Sequence, residues 1–145
     1  MSQLSDIGKF RKTLEDMITQ FRSWPITREQ IIAIDKLEYK LNAAMKIDPR
    51  GSISLFVESI IDYANEILSD NDQFFMETDI EIESEFIELR SQIRSWWPSL
   101  ADDKKDYVRK RIKLLVMLGA IATKSEPLRK IINSYRDVDN PLVYV

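Results

Sequence analysis

The densest group of side chains that could do chemistry is a basic run, KKDYVRKRIK, from Lys104 to Lys113. Lys105, Arg109 and Lys113 recur at every fourth position, so they share one face of a helix, which we expect to be solvent-exposed. With Lys110 they could bind nucleic-acid phosphates. The same row could instead be a solvated face that pairs with acidic side chains of its own chain.

Acidic residues gather in a different part of the chain. Between residues 58 and 88 there are eleven acidic residues and no basic one, whereas 104–136 holds ten basic and two acidic residues. The net charge of −3 makes the chain acidic as a whole, which disfavours nucleic-acid binding as the main function. We expect the acidic segment to be a solvated surface or a docking face for a basic partner.

The acidic segment contains a short stretch that resembles a metal site. Asp70-Asn71-Asp72 is similar to the start of a calcium-binding loop, but the glycine and the terminal glutamate at the required spacing are missing. The sequence therefore predicts no metal site and no cofactor.

The composition excludes much catalytic chemistry. Because the chain has no cysteine and no histidine, it cannot form thiolate nucleophiles, His-based triads or ordinary zinc sites. Its three glycines, Gly8, Gly51 and Gly119, are too far apart to form a phosphate-binding loop. We predict a protein that is not an enzyme and has no catalytic residues.

Two similar stretches place tryptophan before proline at the end of a predicted helix: QFRSWPIT at 20–27 and QIRSWWPS at 92–99. Trp24 and Trp97 continue the apolar stripes of their helices, which predicts that both are core residues. Trp96 lies off its stripe. It is therefore the tryptophan that we expect to contact a partner protein.

Two other apolar groups are candidate partner contacts. Phe74 and Phe75 stand between predicted helices, where they could act as exposed anchors. The tail after residue 136 has no helical period and ends in apolar residues, which favours an extended arm that adds to a neighbouring subunit. The apolar residues of this arm are Leu142, Val143, Tyr144 and Val145.

The apolar spacing of three and four predicts an all-α fold, a compact bundle of about six helices. We expect one domain over 1–145, with a helical body at 1–136 and an arm at 137–145. The fifth helix should be central, because Leu114–Ala122 is apolar on every side, and Gly119 should permit a close helix crossing. The predicted helices cover about 7–24, 27–47, 52–68, 78–97, 99–122 and 125–135.

The same segment bears on membrane insertion. Leu114–Ala122 is the longest apolar run and has nine residues, whereas a membrane span needs about 20. The sequence predicts no membrane span.

Two segments resemble a known group of proteins. DPRGSISLFVESIIDYANEILSDNDQFF at 48–75 and IELRSQIRSWWPSLADDKKDYVRKRIKLLVML at 87–118 are together similar to small helical proteins of nucleocytoplasmic large DNA viruses of algae and amoebae. Some of these viral proteins are virion components. The resemblance implies a virus structural protein located in the virion, and in the host cytoplasm during assembly, and it transfers no catalytic residue.

From these observations we predict a non-enzymatic assembly protein, most specifically a minor capsid protein or other virion component. It would act by docking onto other protein subunits through the basic face, the aromatic anchors and the C-terminal arm. The alternative function is nucleic-acid binding through the basic face of 104–113.

Overall fold

A computed structural model describes residues 5–76 and 86–135, and within these ranges the chain is helical and has no strand. The predicted all-α bundle is confirmed. The helices are α1 (Asp6–Ser23), α2 (Arg28–Ile47), α3 (Pro49–Ile60), α4 (Ala64–Leu68), α5 (Gln73–Met76), α6 (Ile87–Trp96), α7 (Asp102–Thr123) and α8 (Glu126–Asn133).

The first two helices begin and end where local chemistry requires it. Ser5 caps α1 by accepting a hydrogen bond from the Gly8 amide at 3.0 Å. After Pro25, Thr27 and Gln30 form a reciprocal capping box at the start of α2, with distances of 3.1 and 2.7 Å. The second predicted helix therefore starts at its predicted cap.

The third predicted helix is divided. A 3₁₀ turn at Ile61–Tyr63 separates α3 from α4. Ile60, Ala64 and Ile67 are all buried, so the tighter winding keeps the apolar stripe in the core. A second 3₁₀ turn at Trp97–Ser99 delays the start of the fifth predicted helix to Asp102.

The long helix α7 packs against α1, α3, α4 and α8, and its Leu115, Val116 and Leu118 are buried. This confirms the central position predicted for that helix. It crosses α3 closely at Gly119, where an added Cβ would lie 3.0 Å from Val57 Cγ2. Lys124 then ends α7 in the left-handed conformation, with φ of 54°.

Aromatic contacts join α1 to the α6 segment near both ends. Phe10 of α1 contacts Phe86 just before α6, with ring centroids 5.9 Å apart, and Phe21 contacts Trp96 at 5.1 Å. This arrangement brings the two tryptophan–proline stretches to the same end of the bundle. The predicted arm at 137–145, with Leu142, Val143, Tyr144 and Val145, lies outside the described residues.

Candidate interaction surfaces

The two tryptophan–proline corners meet each other. The rings of Trp24 and Trp96 lie 6.4 Å apart in an edge-to-face arrangement, and Trp96 also packs edge-on against Phe21. Trp96 is only 4% exposed, so the prediction that it is a surface anchor is wrong. The cause is tertiary: the side of α6 that carries Trp96 is covered by α1, a contact that the period of α6 alone does not show.

A groove of about 180 Å³ lies beside this junction. Trp24, Trp96, Leu100 and Lys104 contribute to its lining, and the Lys104 ammonium lies 5.6 Å from the centre of the Trp24 ring. The indole nitrogen of Trp96 is buried and has no hydrogen-bond partner among the described residues. Packing therefore holds this tryptophan in place.

Phe74 and Phe75 are also core residues, with exposures of 4% and 3%. Phe75 stacks on Trp97 with ring centroids 4.4 Å apart, and Phe74 packs against Tyr63. The prediction of exposed anchors at these positions is wrong. The short helix α5 turns both rings inward, toward the interior formed by α4 and α6.

The basic row on α7 faces an acidic turn of the same chain. Arg109 donates two hydrogen bonds to the Asp72 carboxylate, from Nε at 2.8 Å and from Nη2 at 2.6 Å, and a third to Asp106. Lys113 is 8% exposed and pairs with Asp70 at 2.5 Å. The expected solvent-exposed row is therefore wrong at Arg109 and Lys113, and the pairing alternative describes both residues.

Electrostatics reinforce this pairing. The Arg109 guanidinium lowers the pKa of Asp72 below its usual value, mainly through the hydrogen bonds between them. Asp72 in turn raises the already high pKa of Arg109. Arg109 and Lys105 also lie over the Trp97 ring, at 5.4 and 5.6 Å from its centre. The basic row therefore binds the 69–72 turn through ion pairs and contacts Trp97, so it holds both against α7.

Lys110 is the member of the predicted basic set that remains exposed, while Lys105 is half-buried. No group of three or more Asp and Glu side chains within the described ranges could hold a metal ion. Asp70 and Asp72 are instead engaged by Lys113 and Arg109. The acidic residues from Glu77 to Glu85 lie outside those ranges.

The outer face of α2 carries exposed apolar side chains. Ile32, Tyr39 and Ile47 have exposures of 48%, 77% and 83%. With Lys36 and Ala43 they lie on the side of the helix opposite its buried residues, because these positions are three, four, seven or eight residues apart. We call these five residues the α2 outer face. Its apolar members lie outside the apolar stripe of α2 in the sequence, a pattern that indicates a second apolar face but does not show whether that face is exposed.

Neighbouring elements fix the orientation of α2. Arg22 of α1 binds Asp35 and Glu38 of α2, with distances of 2.7 Å to each carboxylate. Its hydrogen bonds to Glu38 lower the pKa of that carboxyl. Lys40 forms an ion pair with Glu88 of α6. The buried side of α2, which includes Ile34, Leu37, Leu41 and Met45, packs into the core. Contacts with α1, with α6 and with the core therefore hold α2 in place, and its outer face is directed toward solvent.

The surface of α2 also has a shallow depression of about 330 Å³ between Ile32 and Tyr39. Asp35, Lys36 and Lys40 complete its lining. An apolar floor between charged side chains is the composition typical of a protein-binding patch.

The chain matches no protein-family model, no curated protein and no solved structure. No helix in the described ranges is long and apolar enough to cross a membrane.

Proposed function

We propose that the protein is a non-enzymatic assembly component that docks onto another protein subunit through the α2 outer face. The observation that carries this proposal is the exposure of Ile32, Tyr39 and Ile47 on one side of a helix whose other side is firmly packed. Partner binding would remove these side chains from water, which is the main favourable contribution to protein association.

The composition of the α2 outer face supports docking. Tyrosine is enriched among residues that dominate binding energy, and Tyr39 is central in the face. Burying the exposed parts of Ile32, Tyr39 and Ile47 gives an apolar contact about 22 Å long, because 15 residues separate its ends. Lys36 and Asp35 can form the polar rim.

The pairing on α7 supports a protein partner over nucleic acid. Because Arg109 and Lys113 are occupied by Asp72 and Asp70, phosphate contacts would have to replace existing ion pairs. The resemblance of 48–75 and 87–118 to small helical proteins of large DNA viruses supports a virion as the assembly that contains the protein.

The test is size fractionation of the protein from its native source, comparing the wild type with Tyr39→Glu and Ile47→Glu. Both positions are exposed, so these substitutions should change folding stability by less than about 0.5 kcal/mol. We expect the wild type in a large complex and the two variants as free protein. Lys110→Glu, on the exposed side of α7, is the matched control and should fractionate as the wild type does.

Co-fractionation of Tyr39→Glu and Ile47→Glu with the wild-type complex would contradict docking through α2. Binding of random-sequence DNA provides a separate test of the alternative function. A micromolar affinity that falls steeply with salt would favour nucleic-acid binding.

A further inference from the structure

We propose that a second copy of this chain binds the α2 outer face, giving a two-fold symmetric dimer in which two α2 helices pack antiparallel. The inference rests on the proposed docking function and names its partner. An antiparallel pair with two-fold symmetry requires a face that is complementary to itself when reversed. The α2 outer face meets this requirement in its spacing and in its charges.

The spacing of the exposed apolar residues is nearly palindromic. Ile32 and Ile47 lie 7.5 residues on either side of the point midway between Tyr39 and Lys40. At a rise of 1.5 Å per residue, each isoleucine is about 11 Å from that point. A two-fold axis through it therefore places Ile32 of each copy opposite Ile47 of the other, and the two Tyr39 rings on either side of the axis.

The side chains between these positions allow close packing. In the same register, Lys36 of one copy faces Ala43 of the other, so a long side chain meets a small one. Ala43 and Ile47 of the second copy come opposite the depression that lies between Ile32 and Tyr39. Alternation of large and small side chains lets two helices approach to about 8–10 Å between axes.

The charges on one flank are complementary in the antiparallel register. Asp35 and Lys46 lie on the same side of the outer face, about 7 and 10 Å from the two-fold point in opposite directions. Reversal brings Asp35 of one copy within about 3 Å, measured along the axis, of Lys46 of the other. Both residues are exposed, and the contact occurs twice. Asp35 also binds Arg22 of its own copy, so Lys46 of the other copy would join an existing ion pair.

The other flank carries positive charge that the fold itself neutralises. The two Lys40 side chains approach each other near the axis, and each is paired with Glu88 of its own copy. Like-charge repulsion between the copies is reduced by these pairs. Because one helix per copy forms the contact, the interface is near the small end for specific complexes, and we expect roughly micromolar dissociation.

The test uses the absence of cysteine from the chain, which makes any introduced thiol unique. A disulfide forms only when the two Cα atoms come within about 7 Å. Under mild oxidation we expect Tyr39→Cys to give a covalent dimer, because the two positions lie at the axis. Ile32→Cys alone should give no covalent dimer, because its two thiols would be about 22 Å apart along the pair.

Mixing Ile32→Cys with Ile47→Cys should give the cross-linked dimer that neither variant forms alone. Lys110→Cys is the control for random collision and should not cross-link. Sedimentation equilibrium of the unmodified protein should show a reversible dimer that Ile47→Glu weakens at least tenfold. Circular dichroism should show that each variant keeps its helix content.

A monomeric wild-type protein, or dimers from Ile32→Cys alone as abundant as those from the mixture, would overturn the antiparallel pair. A different result would contradict the proposed docking function: Tyr39→Glu and Ile47→Glu would remain in the native complex on size fractionation. A monomer whose Tyr39→Glu variant leaves that complex would mean that α2 binds a different protein, and the present inference would be wrong.

Discussion

The contact between Asp72 and Arg109 is the most direct test of how the basic row is used. It joins the turn after α4 to α7 across 37 positions in sequence, with two hydrogen bonds of 2.8 and 2.6 Å. The informative perturbation is a double-mutant cycle of Asp72→Asn and Arg109→Gln. In Asp72→Asn, Asp106 and the Trp97 ring remain beside Arg109, so the cycle isolates the coupling to Asp72.

The expected magnitude follows from burial and geometry. The side chains of Arg109 and Asp72 are 21% and 28% exposed, between a surface pair and a fully buried pair. Exposed ion pairs contribute about 0.2–1 kcal/mol, whereas hydrogen bonds to charged groups contribute about 1.5–3 kcal/mol. We therefore expect a coupling free energy of about 2 kcal/mol at pH 7.

The measurement is urea unfolding followed by circular dichroism, at pH 7 and at decreasing pH. Because Arg109 lowers the pKa of Asp72 in the folded state, the ionised carboxylate stabilises the fold. This stabilisation is complete above the unfolded pKa of about 3.9 and is lost as the pH falls through the lower folded pKa. The difference in unfolding free energy between the wild type and Asp72→Asn should thus be constant down to about pH 5 and shrink below about pH 4.

The exposed pair Arg11–Glu15 on α1 is the control, and its coupling should not exceed about 0.5 kcal/mol. A coupling for Asp72 and Arg109 as small as that of the control would refute the reasoning. So would a difference between wild type and Asp72→Asn that stays constant below pH 4.

Two further predictions concern the core and are measured by the same unfolding assay. Trp96→Ala should lower the unfolding free energy by about 3–5 kcal/mol, because it empties a site against Phe21 and Trp24, and Trp96→Phe should cost much less because the indole nitrogen has no hydrogen bond to lose. A small effect of Trp96→Ala would show that this ring is not part of the core. Gly119→Val should destabilise the protein by about 3 kcal/mol or more, because even a Cβ would lie 3.0 Å from Val57 Cγ2. Wild-type stability in this variant would mean that α3 and α7 can separate without cost.

Local sequence rules predict much of the fold. The capping box at Thr27 lies within four residues, and the apolar stripes of α1 and α7 repeat every three or four positions, so both are visible in sequence. The close crossing at Gly119 is also predictable, since a glycine within a buried helix needs a packing reason.

The features that sequence rules miss depend on which elements become neighbours. Trp96 lies off the apolar stripe of α6 but is buried against Phe21 and Trp24. The apolar spacing of α6 alone cannot predict this, because the contact depends on where α1 lies. Arg109 and Lys113 are not fully exposed because they pair with acidic residues of a turn about 40 residues earlier in the chain. On α2, Ile32, Tyr39 and Ile47 have helical spacing of their own, but spacing alone does not distinguish an exposed apolar face from a second buried one.

The meeting of the two corners also determines what tryptophan fluorescence can report. All three tryptophans of the chain, Trp24, Trp96 and Trp97, are less than 9% exposed and lie at one end of the bundle. Emission should therefore be blue-shifted in the folded protein and should report the loss of contact between the two tryptophan–proline corners. Fraying of α8 should leave the emission unchanged, so an optical unfolding curve from this protein describes one end of the molecule.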